Sequence, residues 1–121
     1  MAGESVKVRR RWIVPILALM HVGAADAIGE EAQGAALFKS EHCADCHKDT
    51  SSRIAPTLVG LYTSRVLLSD GTTVTADETY IRESIKSPKA KIVSGYKGIM
   101  PVVQLTDDQI DALVAYIKTL K

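Results

Sequence analysis

Apolar residues near the end of the chain recur at the spacing of one helical face. Ile110, Leu113, Val114 and Ile117 fall at i, i+3, i+4 and i+7, the period of an amphipathic α-helix. Thr106-Asp107-Asp108-Gln109 precedes them and reads as a capping box. In such a box the Thr106 hydroxyl accepts from the Gln109 amide, with acids near the positive helix end. Lys118 and Lys121 add cations to the last turn. Upstream, Tyr80, Ile81, Ser84 and Ile85 form a second inward stripe. It predicts a helix of about Asp77 to Lys86, opened by a box at Thr75-Ala76-Asp77-Glu78 and closed by Pro88. A shorter helix is predicted from Glu30 to about Ser40, on Ala35, Ala36, Leu37 and Phe38. Gly34 lies inside it, either a weak point or a place where another backbone comes close.

Two β-prone runs, Val66-Leu67-Leu68 and Thr72-Thr73-Val74-Thr75, flank Asp70-Gly71, the pattern of a small hairpin. Roughly 48–60 and 89–103 carry Pro56, Gly95, Gly98 and Pro101 and read as loop. The fold class is therefore all-α, three to four helices with a short β-hairpin insertion. Two long irregular loops argue against a compact domain of this size unless something fills its middle.

The 121 residues are 46% hydrophobic and carry a formal charge of +1, which gives no reason to expect a nucleic-acid partner. The charge is unevenly placed. Lys7, Arg9, Arg10 and Arg11 stand against Glu4 and Asp26 in the first 27 residues, whereas 28–121 hold 11 Lys and Arg against 12 Asp and Glu. A cationic stretch, an apolar stretch from Trp12 to Val22 and then Ala25-Asp26-Ala27 follow the order of a secretory signal. The expectation is a signal at 1–27 cleaved after Ala27, leaving a domain at 28–121. The competing reading is an uncleaved anchor. From Trp12 to Ala25 a helix reaches about 20 Å against roughly 30 Å of hydrocarbon, and Pro15 and His21 interrupt it. Both readings put the working domain outside the cytoplasm, periplasmic in a bacterium.

The only two cysteines fall in Cys43-Ala44-Asp45-Cys46-His47. Thiols at i and i+3 share one side of a helical turn and can each form a thioether to a haem vinyl group, and the following histidine can bind the iron. Three other chemistries use such spacing. A zinc site needs four soft or imidazole ligands, and 28–121 offer two Cys and two His, with His42 directly beside Cys43. A dithiol redox motif wants a βαβ context that the pattern lacks. A plain disulfide remains open. Covalent haem c leads, because a flat apolar macrocycle also fills the space the long loops imply.

Of Met1, Met20 and Met100, only Met100 lies beyond the leader. Methionine is most often core filler, but this one stands in Ile99-Met100-Pro101, on a Gly/Pro loop away from any periodic apolar face. That favours Met100 as the sixth iron ligand opposite His47. His42 is the rival, and its place beside Cys43 turns it away from the far face.

Gly34-x-x-x-Phe38, Cys43-x-x-Cys46-His47, Pro56-x-Leu58-x-Gly60, Met100-Pro101 and Leu113-x-x-Tyr116-Ile117 occur in the order seen in class I c-type cytochromes, which the chain resembles over 30–121. The stretch from Val66 to Met100 is most similar to the cytochrome c domain fused to some cytochrome oxidase subunit II chains, here without the copper domain and the two membrane helices. The resemblance implies a small cytochrome c fold around one covalent haem. It implies that Gly34 and Phe38 cross Leu113 and Tyr116, that the Pro56 carbonyl accepts from His47 Nδ1–H, and that Arg65 pairs with a haem propionate. Where many relatives carry a tyrosine near the methionine sulfur, this chain has Ser84.

An iron held by His47 and Met100 has no open position for substrate, so the expected function is one-electron carriage rather than catalysis. The partners would be redox proteins such as a membrane-bound terminal oxidase. The alternatives are a haem subunit of a dehydrogenase or oxidase complex, and a ligand sensor in which Met100 does not ligate. Lys86, Lys89, Lys91 and Lys97 lie in a stretch without acids and would steer an acidic partner, unless they are ordinary solvated lysines.

Overall fold

A computed structural model describes Gly3 and residues 24–121. The cationic and apolar parts of the leader lie outside the described residues, and so does the choice between signal and anchor. Four helices and one hairpin follow in the order α1 (Ala24–Ser40), α2 (Cys43–Cys46), β1 (Arg65–Leu67), β2 (Thr73–Thr75), α3 (Glu78–Lys86) and α4 (Asp107–Thr119).

Helix α4 starts where its capping box places it. The Thr106 hydroxyl accepts from Gln109 N at 3.2 Å, and the Gln109 side chain accepts from Thr106 N at 2.9 Å. Ile110, Leu113, Val114 and Ile117 are all buried, with Ala112 between them. Helix α1 crosses α4 at Gly34. A Cβ there would stand 1.9 Å from the Ala112 carbonyl oxygen and 2.7 Å from Tyr116 Cβ, so only glycine lets the two backbones approach this closely. One turn on, the Phe38 and Tyr116 rings meet at 5.3 Å, tilted by 57°, within the centroid range of favourable aromatic pairs.

Two boundaries differ from expectation. Helix α1 begins at Ala24 rather than Glu30. Ala24, Ala25 and Ala27 are the best helix formers, and Asp26 sits in the positive first turn. Small residues that suit a cleavage site also suit a helix. Residues 26–33 are exposed, so propensity rather than burial extends it. Helix α3 is capped by Asp77, whose carboxylate accepts from Tyr80 N at 2.8 Å, and not by Thr75. Thr75 belongs to β2, paired with Arg65.

The hairpin joins Arg65 to Thr75, Val66 to Val74 and Leu67 to Thr73 in antiparallel register. Leu68 N donates to Thr72 O, so the loop proper is Ser69-Asp70-Gly71. Gly71 takes φ +87° at the left-handed position such three-residue loops require. Leu68 also pairs with Val93, and Ser69 N and Ser94 N bond to Ile92 O and Leu67 O. The loop after α3 is thereby fastened to the hairpin as a short third edge. Val66, Leu68, Ala76, Tyr80 and Ile81 join the α4 face in one core. Ion pairs tie α3 to α4 at Arg82–Asp111, Lys86–Asp107 and Lys118–Glu78.

Candidate haem site

Between these elements lies a cavity of about 380 Å³ with apolar walls. Phe38 of α1, Ile81 and Ile85 of α3, and Leu113 and Ile117 of α4 line it, together with Leu58 and the loop from Pro88 to Leu105. The two irregular loops foreseen as needing something to pack on are its rims.

Cys43, Cys46, His47, Pro56 and Met100 all line this one cavity. Helix α2 is a single turn that puts both thiols at i and i+3. Its entry is His42, in the left-handed region at φ +62°, a conformation histidine tolerates better than most residues. The His42 side chain is 79% exposed, with Nδ1 3.1 Å from Asp45 Oδ2. His42 is thus a surface residue at the mouth, as its position beside Cys43 suggests.

His47 Nδ1 donates to the Pro56 carbonyl at 2.8 Å. A carbonyl can only accept, so Nδ1 carries the proton and Nε2 keeps its lone pair free for a metal. The loop bearing Pro56 is held by its own side chains: Ser51 and Ser52 hydroxyls accept from the amides of Thr57, Ile54 and Ala55, and the Thr57 hydroxyl bonds to Asp49 O. Met100 is half-buried and reaches the cavity from a loop with Gly95 at φ +88° and Gly98 at φ +64°. A Cβ on Gly98 would meet Ile92 Cδ1 at 2.6 Å, so this glycine does allow a close approach.

Cys43 and Cys46 are not joined to each other by a disulfide. Burial pushes the Cys43 thiol above its ordinary range, against a smaller opposing backbone contribution. A thiol–disulfide exchange site lowers its attacking thiol instead, so the environment disfavours the dithiol redox chemistry. No group of three or more His, Cys, Asp or Glu side chains is placed to hold a metal ion among the described residues, which disfavours zinc. An apolar slot bearing two thiols, one free imidazole nitrogen and a thioether fits a covalently held haem.

Arg65 is not brought to the cavity. It is exposed on β1 and does not line the cavity. Among the described residues the single Lys or Arg lining it is Lys91. Lys91 pairs with Glu83, and Lys86 with Asp107. Half of the lysine set foreseen for docking is therefore engaged within the chain, while Lys89 and Lys97 stay exposed. Ile54 and Ile99, 54% and 60% exposed, form an apolar rim that the sequence did not announce. Both stand in loops whose apolar residues follow no helical or strand period.

No curated relative matches the chain. The family model described as Cytochrome c matches residues 31–121, from α1 to the last residue and across every residue that lines the cavity. The chain belongs to the cytochrome c family, whose covalent haem c is attached through thiols of the kind Cys43 and Cys46 supply.

Proposed function

We propose that this haem-based electron carrier holds its iron between His47 and Met100 and works outside the cytoplasm, passing single electrons to a redox partner such as a terminal oxidase. The observation that carries this reading is the His47 Nδ1–Pro56 bond, which leaves Nε2 free in the cavity that Met100 also lines. When bound, a His/Met-ligated haem gains and loses one electron with little ligand rearrangement, and the thioether raises its potential.

The chain's own residues do the rest. Pro56 orients the imidazole and raises its basicity. The apolar walls keep water out, so little solvent reorganises when charge changes. An iron held by both His47 and Met100 would have no place left for substrate, which would favour a carrier over an enzyme or a sensor. Lys89 and Lys97, flanking the cavity residues Pro88, Tyr96 and Gly98, would steer an acidic partner toward the exposed rim of Ile54 and Ile99.

Oxidised holoprotein should show the weak red-end charge-transfer band that marks methionine on ferric haem iron, and a pyridine haemochrome spectrum of the c type. Met100→Ala should abolish the band and let the reduced protein bind carbon monoxide at neutral pH. A wild-type protein that lacks the band and binds carbon monoxide would overturn the carrier reading. Reversing Lys89 and Lys97 to Glu should slow transfer to an acidic partner and flatten its salt dependence; an unchanged rate in stopped-flow measurements would remove the steering role.

A further inference from the structure

The two long loops that border the cavity are held very differently. The one bearing Pro56, which orients His47, is pinned by the Ser51, Ser52 and Thr57 bonds and by Gly60 N, which donates to Leu120 O at 2.9 Å. On the Met100 side, none of residues 97–105 makes a backbone–backbone hydrogen bond to another described residue. What fixes that stretch is the segment just before it. Ser69 N donates to Ile92 O at 2.8 Å, Ser94 N donates to Leu67 O at 2.9 Å, and Val93 bridges to Leu68. Leu68 belongs to the buried core, so Ile92, Val93 and Ser94 stand on a fixed base. Tyr96 N then donates to Val93 O at 3.1 Å, with Gly95 at φ +88°, a type II turn that reverses the chain beside Ile92.

The Ile92 side chain lines the cavity and lies against Gly98, two residues before Met100. A Cβ on Gly98 would meet Ile92 Cδ1 at 2.6 Å, Cγ1 at 3.2 Å and Cγ2 at 3.8 Å, so the side chain covers the glycine along its length. We propose that the hairpin is the positioning element for Met100: it fixes Ile92, and Ile92 acts as a stop against Gly98 that sets how the thioether meets the iron. Without that stop the iron bond itself would have to order a stretch that no backbone bond holds, and the entropy of ordering it would weaken ligation. This rests on the reading of Met100 as an iron ligand, and it gives the hairpin a part in the chemistry as well as in the fold.

Added imidazole tests this, because it reaches a ferric iron held by Met100 only by displacing the thioether. The Fe–S bond breaks, an Fe–N bond forms and no electron moves, so a loosely held methionine yields more readily. Ile92→Val deletes Cδ1, the atom nearest Gly98. Ser94→Pro removes the N–H that binds Leu67 O, and proline suits the second position of a type II turn, so the turn survives. At pH 8 each ferric holoprotein should bind imidazole at least about threefold more tightly than wild type, the size of a lost methyl contact or backbone hydrogen bond. Each should also show a weaker methionine charge-transfer band. In a Met100→Ala background neither change should tighten imidazole binding, since the effect runs through the methionine. Equal tightening in both backgrounds, a response from only one of the two folded variants, or none from either overturns the clamp. If Ser94→Pro yields no holoprotein, Ile92→Val in the two backgrounds decides alone. If Met100→Ala by itself changes neither the band nor the imidazole affinity, the ligand reading has failed; if it changes both while the variants do not follow, only the clamp has.

Discussion

Gly34 and Thr63 show how differently two single residues can be read. An interior glycine in a helix is conspicuous in the sequence, and the 1.9 Å clash that an added Cβ would make with the Ala112 carbonyl explains it. Backbone cannot step aside as a flexible side chain can, so Gly34→Ala should lose about 1–3 kcal/mol, seen as a lower denaturant midpoint of the holoprotein. Thr63 gives no such signal. It takes φ +68°, held by its N–H to Ala76 O at 2.8 Å, a conformation in which a β-branched residue is strained. Thr63→Gly should therefore gain up to about 1 kcal/mol, the relief of left-handed strain less glycine's entropy. A fall in the urea midpoint would contradict it. Threonine is β-prone, and nothing local marks the one place where a bond from β2's end bends it back.

At the scale of elements, the start of α3 offers two caps two residues apart. Asp77→Ala should cost about 1 kcal/mol and Thr75→Ala clearly less, measured by thermal unfolding of the two variants. Both residues suit an N-cap, and strand pairing with Arg65 removes Thr75 from the contest. The α3–α4 ion pairs are likewise invisible locally, because Lys86 and Asp107 are far apart in sequence and meet at 3.0 Å. The bond and charge of Lys86 hold the Asp107 carboxyl below its ordinary range. A carboxyl lowered in the folded state contributes stability above its unfolded pKa and loses it as pH falls through the lowered value. The advantage of wild type over Asp107→Asn should thus be present at neutral pH and vanish toward the acid end. A difference that stays constant with pH would show that the pair is not its source. The pair is exposed, so added salt should shrink the same difference.

For the whole molecule the cavity dominates the energetics. Its walls are almost wholly apolar side chains from α1, α3, α4 and both long loops, so without an occupant a large part of the core has nothing to pack against. A chain with Cys43→Ser and Cys46→Ser, unable to attach haem, should lose its cooperative unfolding transition and near-UV circular dichroism. A sharp calorimetric peak from that chain would contradict this. The sequence alone determined the elements with a strong period or cap, the thiol pair with its histidine, and the placing of Met100 on a Gly/Pro loop. These are local matters, set by spacing, by torsional preference and by the few residue types able to bind iron. Only the tertiary structure decided the rest. It sent α1 across α4 at Gly34, fastened the loop after α3 to the hairpin, tied Lys86 and Lys91 to acids, and left Ser84 unpartnered in the wall while Arg65 faces water. Burial and pairing depend on which distant segments meet, and no window along the chain contains that information.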